Sequence, residues 1–496
     1  MDSQTTDPNN QRVIENNLSI FQALIPVFSL IGMLAYNVYV FEDDALSGSN
    51  QFILLMGAAV AAIVGHFNKV PYASMVEEVA QNIKSTTGPI LILLMVGALA
   101  GTWLVSGIIP TMIYYGLQIL NPTIFLAACV VICSVISIAT GSSWTTSATV
   151  GIALIGIANA LGISLGMTAG AILSGAYFGD KLSPLSDTTN LAPAMAGTDL
   201  FTHIRYMLYT TVPTILVTLI VFVIIGLNIE TTGVADTDSI LASIEESFYI
   251  TPWLFIVPVV VIFLIVKKTP PLIALLLGTL LGAVFALIFQ PEIIAKLGDS
   301  ESLNFFSGYK GILNAITVDT AIETSNESLN DLFSSGGMAG MLGTIWLIIC
   351  AMVFGGIMDA IGALSRISRA LLNLFHSTFG LFSSTVISCL ALNATASDQY
   401  LAIVVPGKMF AKAYKDKGLA PENLSRTLED SGTVTSVLIP WNTCGAYHSG
   451  VLGVPVASYF MYAMFNYLSP FTTLIFAAFH IKIRQLTQKE PEAAQL

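Results

Sequence analysis

Residues 85–179 contain no Asp, Glu, Lys, Arg or His. An uncharged run of that length belongs in lipid or in a very large buried core. The rest of the chain extends the pattern. Of its 496 residues, 54% are hydrophobic and 10% charged, against about 25% charged in an ordinary soluble domain. The fold class expected is therefore an all-α polytopic membrane protein.

The polar opening MDSQTTDPNNQRVIENN lacks the basic region, short apolar core and small-residue cleavage site of a secretory signal, so the first apolar stretch is expected to remain as a helix. Apolar windows predict spans near 19–42, 51–66, 89–116, 168–193, 207–229, 251–266, 270–290, 338–360, 425–447 and 456–480, about ten transmembrane helices. Two further apolar pairs, 122–162 and 377–410, are each interrupted by a polar tip and are read as re-entrant hairpins. The organisation that follows is a polar cytoplasmic N-terminus (1–18), a first membrane half (19–230), a periplasmic loop (231–250), a second half (251–480) carrying another periplasmic loop (291–336), and a cytoplasmic tail (481–496).

Charge placement supports this layout. With the N-terminus inside and each hairpin returning to its own side, all of the 19 Lys and Arg except Lys181, Lys296 and Lys310 fall on the cytoplasmic side, as the positive-inside rule requires. The outer loops collect acid at Glu42, Asp43, Asp44, Glu230, Asp236, Asp238, Glu245 and Glu246, which absorbs much of the net charge of −12. Lys181 is left in mid-membrane. The five cysteines lie in apolar segments without metal-ligand spacing and are read as packing residues.

The two halves share a faint repeat. Val135-Ile136-Ser137 and Val386-Ile387-Ser388 each precede a polar tip. At the same offset Ser142 aligns with Asn393, Thr146 with Ser397, and Asp180 with Ser431 beside Asp430; Asn190 and Asn442 correspond one residue further on. Since one hairpin enters from outside and the other from inside, the units are expected to be inverted, related by an axis in the membrane plane.

Four polar segments interrupt the apolar sequence: ATGSSWTTSAT at 139–149, GDKLSPLSDTTN at 179–190, NATASD at 393–398 and EDSGTVTSVLIPWNT at 429–443. A broken backbone survives in lipid only where protein or a water-filled cavity satisfies its free amides and carbonyls. Those carbonyls suit a hard cation such as Na+, as do the neutral oxygens of Ser142, Ser143, Thr146, Asn190, Asn393, Thr433 and Asn442. Charge would come from Asp180, Asp187, Asp398, Glu429 and Asp430, each costing on the order of 2.5–3.5 kcal/mol in a bilayer even on the lenient insertion scale. Since a carboxylate binds a proton or a cation, competition at one site suffices for antiport. Ser397, in the second tip, joins the candidates, and Lys181 is a possible charge partner.

Blander readings compete. Membrane Ser and Thr more often bond their own backbone or a neighbouring helix than an ion. Intramembrane acids are more often functional, although Asp430 could simply cap a helix. The histidines are placed mostly at interfaces and given no role. Residues 69–87 and 361–375 are predicted as amphipathic interfacial helices.

The motifs GAYFGDKLSPLSDTTNLAPA at 175–194 and NLSRTLEDSGTVTSVLIPWNTCGAY at 423–447, with TGSSWTTSATVG at 140–151, resemble the NhaC family of sodium/proton antiporters, a branch of the ion-transporter superfamily. The resemblance covers most of the chain. It implies two inverted repeats, a transport domain with hairpins and broken helices, a scaffold domain that forms a homodimer, and elevator-like alternating access. It also implies ion contacts from Asp180, Asp187, Asn190, Thr433 and Asn442. Val437 departs from the pattern, which leads one to expect proline there.

The expected function is exchange of Na+ for H+ across the cytoplasmic (inner) membrane, with no cofactor beyond those ions and no nucleic-acid partner. Relatives that exchange organic acids, such as malate and lactate, give the alternative. An acid substrate would want cavity-facing cations or half-helix N-termini, and only Lys181 is a mid-membrane cation. An enzyme is not expected, because no nucleophile with its base stands out and no metal motif such as HExxH occurs.

Overall fold

Sequence without charge becomes helix almost everywhere. The computed structural model describes residues 18–41, 48–119, 121–229, 237–324, 330, 333–374 and 377–486. The N-terminus through residue 17, the acids at 42–44, 230 and 236, His376 and the tail from 487 lie outside the described residues.

The first half begins with α1 (Ile20–Phe41) and α2 (Ser49–Phe67), packed side by side. Then follow α3 (Tyr72–Ser85), α4 (Thr87–Val105), α5 (Ile108–Ile119) and α6 (Pro122–Thr140). A polar turn leads to α7 (Ser143–Thr146), a π-helical segment Ser147–Gly151 and α8 (Ile152–Ala160), which form one helical run. The half closes with α9 (Leu165–Leu182), α10 (Asp187–Ala196) and α11 (Leu200–Asn228).

The second half holds α12 (Thr237–Ser247), α13 (Ile256–Val266), α14 (Pro271–Phe289), α15 (Pro291–Leu297) and α16 (Phe305–Thr317). A two-residue antiparallel pairing of Thr320–Ala321 with Ser334–Ser335 comes next. Beyond it are α17 (Leu342–Ala360), α18 (Ala363–Leu374), α19 (Thr378–Thr395), α20 (Gln399–Asp416), α21 (Pro421–Leu428), α22 (Thr443–Leu452), α23 (Val456–Tyr459) and α24 (Met464–Ala478).

Among the described residues, 8 helices are long and apolar enough to cross a membrane. They are α1, α2, α4, α6, α11, α14, the run Gly337–Ala360 that ends in α17, and α19. Exposed Leu216, Ile220, Ile224 and Leu227 form an apolar stripe along α11, the surface a lipid-facing helix needs. The protein is a multi-pass membrane protein.

Several expectations change in detail. The span predicted at 89–116 is two helices, because Gly107 adopts a left-handed φ of 79° between α4 and α5. The loops expected at 231–250 and 291–336 contain α12, α15 and α16. The helix Ser239–Ser247 meets Pro252–Val266 at 82°. The span expected at 456–480 is divided into α23 and α24. Hydropathy windows average across such breaks, which Gly, Pro and polar residues impose locally. Two of the eight span-length helices, α6 and α19, are first arms of the pairs expected as hairpins. The amphipathic segments do form helices, α3 and α18.

The tightest packing that positions the site is between α6 and α9. A Cβ on Gly175 would lie 2.3 Å from the Val130 carbonyl oxygen, and one on Gly179 2.5 Å from that of Ser134. Gly179→Ala is therefore expected to destabilise the folded protein by about 1–3 kcal/mol through overpacking, read as a lower thermal midpoint in detergent. Gly343→Ala, whose added methyl meets nothing within 4 Å, should leave the midpoint unchanged.

Candidate functional site

Four half-helices begin at one place. Ser142 caps the α7–α8 run by accepting the Thr145 amide at 3.2 Å, and Ser186 caps α10 by accepting that of Thr189 at 3.4 Å. Asp398 caps α20, its Oδ1 accepting the amides of Tyr400 at 2.9 Å and Leu401 at 3.0 Å. Asn442 caps α22 through the Cys444 amide at 3.0 Å. Each short polar side chain satisfies donors that the start of a helix leaves free. The local sequence sets the breaks: Gly141 holds φ 70° and Ser397 φ 59°, while Pro184 and Pro440 sit in the other two.

These termini surround a cavity of about 440 Å³. Thr140–Ser142, Trp144 and Thr145 line it from the first tip, and Asp180 with Leu185–Thr188 from the α9–α10 break. Asp398–Tyr400 and Thr443 close it from the second half. The opposite wall comes from Ser85, Pro89 and the α13–α14 loop, including Lys268. Three carboxylates, Asp180, Asp187 and Asp398, therefore line one chamber.

Their settings differ. Asp180 is buried and its Oδ2 accepts both the Ser143 amide at 3.0 Å and the Ser143 hydroxyl at 2.7 Å. Asp187 is exposed to the chamber at the first position of α10. Asp398 is buried, and both of its amide donors engage Oδ1. They do not close around one point: among the described residues no group of three His, Cys, Asp or Glu side chains could hold a metal ion. A cation here would meet one carboxylate together with hydroxyl and carbonyl oxygens.

Behind the chamber lies a fully buried ion pair between Lys181 on α9 and Asp430 in the π-helical segment Glu429–Thr433. Asp430 Oδ2 also accepts the Thr210 hydroxyl at 2.9 Å and that of Thr473, and the Lys181 ammonium lies 5.6 Å from the Phe465 ring centroid. The lysine's partner is therefore Asp430 across the two halves rather than its neighbour Asp180. Asp430 caps no helix, and its oxygens are engaged.

Of the other candidates, Asn190 donates to the carbonyls of Pro184 at 3.0 Å and Ser186 at 2.7 Å, bracing the break. The Thr146 hydroxyl donates to the Ser142 carbonyl at 2.9 Å. Asn393 donates to the Gly432 carbonyl at 2.7 Å and receives the Asn442 side-chain amide, linking the second tip to the second broken helix. None of these three lines the chamber. Among the described residues the Ser397 hydroxyl is buried without a hydrogen-bond partner, and Glu429 and Thr433 are buried close to one another in the π-helical segment.

Sequence reasoning passed over Trp144, Ser186, Tyr400, Thr443 and Lys268, which line the chamber. Ser186 had a usable signal in its position before an Asp at a helix start. His203 and His448, placed at interfaces by sequence, are fully buried, with Nδ1 facing Ser425 Oγ at 2.7 Å and Ser147 Oγ at 3.0 Å. Trp144 stacks on Tyr447 with centroids 3.9 Å apart, joining the two halves beside the chamber.

Interrupted, carboxylate-bearing helices inside a multi-pass apolar bundle are the architecture of a membrane carrier. A family model described as the Na+/H+ antiporter family matches residues 175–481. The Na(+)/H(+) antiporter NhaC of Alkalihalophilus pseudofirmus is 36% identical over 423 residues, 85% of this chain and 88% of the relative. NhaC of Bacillus subtilis is 35% identical over 82% of this chain and 87% of its own. The malate-2H(+)/Na(+)-lactate antiporter of Bacillus subtilis is 36% identical over 91% of this chain and 92% of its own. The chain belongs to the Na+/H+ antiporter family.

The ion pair makes a prediction. Lys181→Met alone leaves Asp430 buried without its counter-charge and should cost about 3–5 kcal/mol, whereas Lys181→Met with Asp430→Leu should be far milder. Thermal unfolding of the single and double variants in detergent measures the difference.

Proposed function

We propose that the protein exchanges Na+ for H+ across the cytoplasmic membrane, with the chamber at the four half-helix N-termini as its ion site. The observation that carries this reading is the gathering of Asp180, Asp187 and Asp398 in one cavity of about 440 Å³. Membership of the Na+/H+ antiporter family supports it. A sodium ion and a proton are alternative occupants of a carboxylate, so loading one releases the other. Asp187 meets the arriving ion, Asp180 and Asp398 supply charge deeper in, and Ser142, Thr145 and Thr443 offer hydroxyls. Asp430, committed to Lys181, acts as structure. Asn393, Asn442, Ser397 and Thr433 hold or surround the broken segments rather than the ion.

The two tips, with α6–α11 and α19–α24, form the moving body in this reading, and α1–α4 with α13–α17 form the scaffold. The packing of α6 on α9 and of α3 on α2 and α17 supports that division. The segments 122–162 and 377–410 act as inverted re-entrant hairpins, and sliding of one body past the other exposes the chamber alternately in an elevator-like cycle. The termini lie in the cytoplasm, and two copies associate through the scaffold. No cofactor takes part.

A second reading, exchange of organic acids coupled to Na+, is favoured by a relative named as a malate-2H(+)/Na(+)-lactate antiporter and by Lys268 at the chamber wall. Proteoliposomes with a pH dye inside an acid-loaded lumen separate the two. Lumenal alkalinisation on adding sodium alone is expected, and no response until malate or lactate is supplied would transfer the assignment. Asp187→Asn should abolish the sodium response while the protein elutes as wild type; undiminished exchange in that variant would remove Asp187 from the site.

A further inference from the structure

A second cavity, about 620 Å³, opens at the N-terminal end of α11, away from the chamber. Thr202, Arg205, Tyr206, Tyr209, Lys482 and Arg484 line it together with Ile483. The segment beyond α24 is pinned there. The Tyr206 hydroxyl has two acceptors for its one hydrogen, Asn423 Oδ1 at 2.6 Å and the Lys482 carbonyl, and it accepts the Arg484 amide at 3.2 Å.

The pocket carries more positive charge than it neutralises. Arg484 pairs with Glu422 at 2.7 Å, while Arg205 and Lys482 have no salt-bridge partner among the described residues. The other nearby carboxylate, Asp199, caps α11 by accepting the Thr202 amide at 3.0 Å. Behind the wall the fully buried Arg426 places its guanidinium carbon 4.6 Å from the Tyr206 ring centroid, and its Nε, Nη1 and Nη2 find no hydrogen-bond acceptor among the described residues. Lys482 lies 5.0 Å over the Tyr209 ring.

Depth identifies the ligand. The 29 residues of α11 extend about 44 Å, beyond a hydrocarbon core of about 30 Å, and the exposed Arg205 in its first turns, against exposed Leu216, Ile220, Ile224 and Leu227 further along, makes that end the one suited to headgroup level. The exposed Tyr209 there matches an interfacial aromatic belt. Phe201, Tyr209 and Val212 on α11, and Phe479 after α24, are exposed apolar surface beside the pocket, where acyl chains can lie.

We propose that this pocket binds the phosphodiester headgroup of an anionic phospholipid, held by Arg205, Lys482 and the free donors of Arg484. Basic pockets between transmembrane helices recognise such headgroups by charge and by charge-assisted hydrogen bonds. The site fastens the end of α11 and the chain after α24 to the membrane surface.

The test uses the purified full chain in neutral detergent, with phosphatidylglycerol, phosphatidylcholine or inorganic phosphate added. Phosphatidylglycerol should raise the thermal midpoint, and phosphatidylcholine should not. In R205Q/K482Q the apparent affinity for phosphatidylglycerol should fall about tenfold or more, since each basic residue near the surface contributes substantially. K412Q/K415Q, which removes equal charge from another exposed patch, should respond like wild type. Both pairs of side chains are exposed, so each variant is expected to melt like wild type without lipid. An undiminished response in R205Q/K482Q overturns the site, and an equal response to inorganic phosphate overturns the assignment to lipid.

Discussion

In hydrocarbon every backbone amide and carbonyl must be satisfied by protein, and this constraint organises the structure. Where helices run through, they satisfy themselves. Where they stop, at 141–142, 183–186, 396–398 and 434–442, neighbouring groups must do it. Ser142, Ser186, Asp398 and Asn442 cap the restarting helices, Asn190 holds two carbonyls of its own break, and Asn393 bonds both to the Gly432 carbonyl and to Asn442. The same requirement gathers polar groups of both halves around one chamber.

Charge inside the bundle is divided by the same logic. Lys181 and Asp430 neutralise one another at the junction of the halves, with Thr210 and Thr473 completing the acid's hydrogen bonds. Asp180, Asp187 and Asp398 instead face a cavity. A neutralised pair costs least when it stays paired, whereas carboxylates that face a cavity can exchange partners. In the proposed exchange the first set is a fixed joint and the second the working site.

Much of this was legible in the sequence. The charge-free stretch announced the membrane, and clusters of Gly, Pro, Ser and Asp located all four breaks. Asp180, Asp187, Asp398 and Ser142 do line the chamber. Partnership across the chain was harder to read. Nothing local to Lys181 pointed to Asp430, 249 residues away, because the pairing depends on how α9 packs against the second broken helix. Asn190 and Thr146 carried side chains suited to an ion yet spend them on their own backbone, as short polar residues in membranes commonly do. His203 and His448 misled for a related reason: a single buried hydrogen bond to a serine supports an imidazole in the core, and periodicity does not register it.

In the proposed exchange a sodium ion enters the chamber by displacing protons from its carboxylates. The most direct measurement is calorimetric titration of the purified protein with sodium in buffers of different ionisation enthalpy, which counts the protons released per ion bound. Proton release that accompanies sodium binding, and is reduced in Asp180→Asn and Asp398→Asn, is the result predicted. Sodium binding with no proton release, or release unchanged in both variants, would contradict it.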